Sequence, residues 1–185
     1  MLAFYVGVST YVDFGGEMEK VLISACLLGK RVRYDGNGLS VYDSILEQWK
    51  ASGRVISICP EVDAGMSIPR APAEILKGDG CNVWEGTALV VEDAGIEVTE
   101  YFKKGAQMAL ELCKKHNIKV AVLTENSPSC GSSVIYDGSF TNKKIDGVGV
   151  TAALLKNNGI AVFSQHNIES ANKELQRTSL AERYR

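Results

Sequence analysis

Val21-Leu22-Ile23-Ser24-Ala25-Cys26-Leu27-Leu28-Gly29 opens with a β-branched, apolar run and passes into a glycine-rich stretch that continues to Gly38. A short apolar run bounded in this way reads as an interior strand feeding a loop, with Cys26 just beyond the strand's end. The pattern recurs. Arg54 to Ile58 is a second strand that stops at Cys59-Pro60, because proline lacks the N–H that a sheet ladder needs. Lys119 to Leu123 is a third, and it opens into Thr124-Glu125-Asn126-Ser127-Pro128-Ser129-Cys130-Gly131.

Helical spacing fills the intervals between these runs. Val41, Ile45, Leu46 and Trp49 share one face of a short helix with Ser40 as its expected cap, ending near Gly53. From Thr99, Phe102, Ala106, Ala109, Leu110 and Cys113 recur on one face until His116-Asn117. Val150 to Asn157 is a further helix stopped by Gly159, Ile160 to Phe163 is the last strand, and a polar helix begins after Asn167. Thr87 to Val91 also reads as a strand. Val62 to Gly86 reads mainly as loop, with room for a short helix around Ala73 to Leu76. Val134 to Tyr136, Asp137-Gly138 and Phe140-Thr141 read as a tight hairpin. Strands alternating with helices predict an α/β fold of one domain, Rossmann-like, with a mostly parallel sheet and helices on both faces. Ligands of such a sheet bind beyond the carboxyl ends of its strands.

The 185 residues, 45% hydrophobic and 23% charged with a formal net charge of -2, suit one folded domain. That balance disfavours a generic nucleic-acid binder, which needs a basic stripe to neutralise phosphates. No apolar run reaches the roughly 18 residues that cross a bilayer, and the start lacks a signal peptide's basic flank, so a cytoplasmic protein is expected. Residues 1–17 show no clear period and read either as an extra strand or as an N-terminal extension dispensable to a domain formed by residues 18–185.

The five cysteines are an odd number for a reducing compartment, which argues against a disulfide framework. Parallel strands bring their carboxyl ends to one edge, so Cys26, Cys59 and Cys130 can converge there. Three thiolates can hold zinc, or a cubane iron–sulfur cluster with one iron left open as a Lewis acid. The plainer alternative is three small buried residues that happen to end strands. Cys113 follows its helix's apolar face into the core, and Cys81 is either a spare thiol or a fourth ligand. His116 and His166 sit at helix ends, where they interact with the helix dipole. Glu61, two residues after Cys59, is the acid/base candidate or else caps the next turn. Ser127 and Ser129 flank Pro128, and their hydroxyls orient a substrate or water, or bond the turn's backbone. Arg33, Tyr34, Asp35 and Arg70 are candidates for orienting a planar substrate, with a loop ion pair at Asp35 as the alternative.

Ile23 to Gly29, Arg33 to Gly36, Cys59-Pro60-Glu61 with Gly65 and Pro69-Arg70, Val98-Thr99 with Gly105-Ala106, and Ser127 to Gly131 together resemble the family designated DUF523. The resemblance runs from about Val21 to Phe163. Characterised members look like 2-thiouracil desulfurases, single α/β domains that hold a [4Fe-4S] cluster by three cysteines. By motif position it implies Cys26, Cys59 and Cys130 as cluster ligands, Glu61 as proton donor and water activator, and a serine of Ser127-Pro128-Ser129-Cys130, Ser127 first, as its assistant. The implied reaction replaces the sulfur of a thiolated pyrimidine with water's oxygen, without net redox change. Thr124 departs from the pattern, standing where many members carry lysine. A non-catalytic metal or iron–sulfur sensing module is the competing expectation. Desulfuration of thiolated tRNA is a third, less favoured by the acidic balance.

Overall fold

A computed structural model describes residues 18–183. The chain runs through β1 (Val21–Ser24), a 3-10 turn (Ala25–Leu28), α1 (Ser44–Ala51), β2 (Val55–Ile58), α2 (Pro60–Asp63), β3 (Ala73–Leu76), α3 (Gly80–Glu85) and β4 (Leu89–Glu92). It continues with α4 (Thr99–Lys115), β5 (Val120–Leu123), β6 (Val134–Tyr136), β7 (Lys144–Asp146), α5 (Val150–Asn157), β8 (Ala161–Ser164) and α6 (Ile168–Arg183). The expected extension at residues 1–17 lies outside the described residues.

β2, β1, β5 and β8 lie side by side in that order and are parallel throughout, with Val21 opposite both Val55 and Val120. Successive strand side chains point to opposite faces, and both faces are covered. Val21, Ile23, Val120 and Val122 pack against α1 and α6 through Leu46, Trp49, Ile168, Ala171 and Leu175. Leu22, Ala121 and Leu123 pack the other way, onto α4 and α5 through Ala109, Cys113, Ala152 and Leu155. Double coverage is why these strands read as continuous apolar runs without polar alternation. The α/β architecture expected from the sequence is therefore present.

From β1 the chain goes to β2 on one side, then crosses to β5 on the other. The connections diverge between β1 and β5, and a crevice opens there at the carboxyl edge of the sheet. No helix among the described residues is long and apolar enough to cross a membrane.

The structure corrects four local expectations. Ala73–Leu76 is a strand, paired antiparallel with β4 in a second small sheet, and an apolar run this short cannot declare its type without its partner. Gly80–Glu85 is a helix, where loop was expected; Asp79 and Asn82 close a reciprocal capping box around its start. Its flanking glycines disguise it, yet Gly80 is needed because any Cβ there would collide with the Gly149 carbonyl. α1 starts one turn later than expected, since Asp43 and not Ser40 accepts the free N–H groups of Ile45 and Leu46, at 2.8 and 3.2 Å. Finally, β6 pairs with β7 instead of Phe140-Thr141. The buried Glu74 carboxylate accepts from the N–H groups of Gly138 and Phe140, at 2.9 and 3.1 Å, and so opens the expected tight turn into a longer loop.

Candidate active site

Each of the three strand-end cysteines is held by a different local device. Cys26 lies in the 3-10 turn that ends β1, and its carbonyl accepts from Gly29 N and Leu39 N at 3.0 and 2.9 Å. Gly29 takes φ 85°, a left-handed conformation that favours glycine, and this closes the turn. Cys59 ends β2 and caps α2, donating its N–H to Asp63 Oδ2 at 3.1 Å. Gly105 of α4 packs directly under Pro60, where a side chain would strike the Pro60 carbonyl, so α2 is seated on α4.

Cys130 sits in the loop after β5. Ser127 Oγ accepts from the N–H groups of Ser129 and Cys130, both at 3.1 Å. The start of α5 has backbone donors with no partner inside the helix, and it spends them on this loop. Gly149, Val150 and Thr151 donate to the carbonyls of Gly131, Pro128 and Ser129, each at 2.8 Å.

These devices bring Cys26, Cys59 and Cys130 onto the wall of one cavity of about 450 Å³. Glu61, Ser127, Arg33, Tyr34 and Arg70 line the same cavity. Two expected residues do not. Ser129 is fully buried, with its hydroxyl 2.9 Å from Thr151 Oγ1 on α5, so it faces away from the cavity. Asp35 lies off the cavity wall, accepting from Asn37 N at 3.0 Å and standing 3.9 Å from Arg33 Nε in the loop ion pair that was the alternative. Cys113 is buried in the core and Cys81 sits in the first turn of α3; neither reaches the cavity, nor does either histidine.

Arg70 has a different partner from any the sequence proposed. Its Nε and Nη2 both donate to Glu61 Oε2, at 2.8 and 2.5 Å, while Nη1 donates to the carbonyls of Val32 and Ser67, each at 3.2 Å. The Arg70 side chain is 5% exposed. It therefore anchors Glu61 through one carboxylate oxygen, Oε2, and leaves Oε1 uncommitted.

Burial raises all three thiols. At Cys26 burial is opposed by the Thr124 hydroxyl and by Arg33. Cys59 is pushed up to about 11 by burial, with Glu61 adding to the rise against Arg70. Cys130, the most enclosed, is raised by burial against the Ser24 hydroxyl, and the charges of Cys26, Glu61 and Cys59 raise it further. At neutral pH such thiols keep their protons until a cation replaces them, as metal binding to cysteine requires. All three cysteines line the one cavity. Among the described residues no three His, Cys, Asp or Glu side chains converge closely enough for one metal ion. A cubane takes one thiolate at each of several corner irons, so a spread set of three soft donors fits it better than it fits one tetrahedral zinc.

Several cavity residues had no distinguishing sequence signal: Asn126, Tyr136, Asn142, Gln165 and Glu74. Glu125 was missed for a clearer reason. Its carboxylate accepts from the backbone of Ser132, Ser133 and Val134 at 3.1, 3.0 and 2.8 Å and from the Ser132 hydroxyl at 2.5 Å. These bonds reach seven to nine residues along the chain, beyond any capping spacing, and they fold the far side of the Cys130 loop. Burial pulls the Glu125 carboxyl up, but the Ser132 hydroxyl and the three backbone donors outweigh it and hold the group below the usual carboxylate range. A depressed folded-state value means that Glu125 stabilises the fold above the ordinary glutamate value of about 4.3 and loses that contribution as pH falls through the lowered one. Glu125→Gln should therefore melt below the wild type at neutral pH, with the gap closing under acid. A constant gap from pH 7 to pH 3 would show that the charge contributes nothing.

Residues 21–167 match the family model described as 2-thiouracil desulfurase. The chain is 43% identical over 148 residues to the protein YbbK of Bacillus subtilis (strain 168), a match that spans 80% of this chain and 97% of that one. It is also similar to the solved structure of the [4Fe-4S]-dependent thiouracil desulfidase TudS, with a TM-score of 0.78 and 41% identity over 85% of this chain and 98% of that chain.

Proposed function

The chain belongs to the 2-thiouracil desulfurase family, and we propose that Cys26, Cys59 and Cys130 hold the [4Fe-4S] cluster on which its desulfurase activity depends. The enzyme removes sulfur from a thiolated pyrimidine such as 2-thiouracil, and water supplies the oxygen, giving uracil and hydrosulfide. The observation that carries the ligand set is the convergence of three cysteines from three adjacent strand ends on one cavity that also holds Glu61. When bound, the cluster supplies an iron without a protein ligand, a Lewis acid for the thiocarbonyl sulfur.

The chain's own residues supply the rest. Glu61, held through Oε2 by Arg70, has Oε1 free to take a proton from the attacking water and to deliver it to the pyrimidine ring. Ser127 already accepts two backbone N–H bonds, so its own proton remains available to orient the substrate or the water. Tyr34 and Tyr136 place aromatic side chains on the cavity wall, suited to a planar base. Arg70 acts on Glu61 and not on the substrate. Residues 18–185 form the desulfurase-like domain, the substrate is a free base or nucleoside, and the protein works in the cytoplasm, where a reducing environment preserves its thiols.

Anaerobic incubation of the cluster-reconstituted protein with 2-thiouracil tests this. Equal amounts of uracil and sulfide are expected, over many turnovers. A protein that carries the cluster yet releases no sulfide from 2-thiouracil would leave a sensing module, or turnover only with thiolated tRNA, as the surviving reading.

A further inference from the structure

Two hydroxyls on the cavity wall, those of Ser24 and Thr124, have no part in the proton transfers above. Ser24, 2% exposed, ends β1; its Oγ accepts from Thr124 N at 3.1 Å and donates to Cys130 Sγ at 3.5 Å. Thr124, 8% exposed, follows β5, and its Oγ1 lies 2.9 Å from Cys26 Sγ. The pairing is crossed. β1 supplies the hydroxyl for the cysteine after β5, and β5 supplies the one for the cysteine after β1.

The direction of the second bond depends on the state of Cys26. A neutral thiol can donate to the hydroxyl or accept from it. A cysteine bound to iron has lost its S–H, and the only proton left between the two atoms is the threonine's. Ser24 is already committed, because the Thr124 N–H occupies a lone pair of its oxygen and its proton goes on to sulfur. In a buried, low-dielectric setting such bonds are stronger than at the surface.

Resting on the reading of Cys26 and Cys130 as cluster ligands, we infer that Ser24 and Thr124 are positioning residues that donate O–H···S hydrogen bonds to the two ligand sulfurs. Each bond draws electron density from a thiolate. Hydrogen bonds to cluster sulfurs raise the reduction potential, and less electron-rich ligands leave the open iron a stronger Lewis acid. The same strand-edge cross-link fixes the two ligands relative to each other before the cluster arrives.

A redox titration of the reconstituted protein, with iron and acid-labile sulfide measured on every sample, tests the inference. Thr124→Val keeps the shape and deletes the hydroxyl, Thr124→Ser restores it, and Ser24→Ala deletes the second donor. Thr124→Val and Ser24→Ala should carry a full cluster with a midpoint potential below the wild type's, and Thr124→Ser should return to it. Fully loaded Thr124→Val and Ser24→Ala that titrate at the wild-type potential overturn the inference. Should Thr124→Val fail to fold, Ser24→Ala alone reads the Cys130 bond with the same two outcomes. A wild type that takes up no iron or sulfide refutes the ligand assignment itself and the inference with it, and the metal analysis separates that failure from an unchanged potential.

Discussion

Cys130→Ala should yield a folded, colourless protein whose iron falls from about four atoms per chain to near zero and whose desulfuration falls to background. The fold survives because the loop around Cys130 is held by groups other than its sulfur. Ser127 Oγ binds the N–H groups of Ser129 and Cys130, the first turn of α5 takes the loop's carbonyls, and Glu125 gathers the residues beyond. None of these bonds uses Sγ. The cluster is lost because two thiolates on one wall cannot replace the third, and each ligand must repay the cost of holding a buried, mutually repelling thiolate. Cys113→Ala and Cys81→Ala are the controls; both side chains lie away from the cavity, so both variants should stay brown. A Cys130→Ala protein with wild-type iron and activity would move the cluster elsewhere.

Glu61→Gln should separate cluster binding from chemistry. Iron and sulfide content stay at the wild-type level, while turnover of 2-thiouracil drops by about 100- to 10,000-fold, the usual contribution of a positioned general acid–base group. Glutamine keeps the volume and an oxygen for Arg70 but cannot carry the proton. The Arg70 guanidinium keeps its bonds to the carbonyls of Val32 and Ser67, and its backbone N–H still donates to Tyr34 O at 2.9 Å, so the loop around it should persist. The comparison to run is kcat and KM for both proteins at matched iron content. A loss confined to KM would make Glu61 a binding group, and full activity would remove it from the mechanism.

The fold was legible where burial is a local property of the chain. Val21 to Ile23 and Val120 to Leu123 are apolar at every position because both faces of the sheet are covered, and Pro60 stops β2 whatever surrounds it. Elements whose stability comes from distant partners were misread. Ala73–Leu76 is a strand by virtue of β4, and the loop after β6 is shaped by Glu74, more than sixty residues earlier. The bonds of Arg70 to Glu61, nine residues away, likewise come from the tertiary fold and carry no local signal.

Taken alone, the sequence determined that Cys26, Cys59 and Cys130 each follow the end of an apolar strand, and its motifs placed the chain in a family; hydrophobic runs, proline and motif spacing are all properties of adjacent residues. Only the tertiary structure decided which side chains share the cavity. Ser127 lines it and Ser129 turns away, although they stand two residues apart in one motif, because α5 packs against one side of that loop and takes the Ser129 hydroxyl and carbonyl for itself.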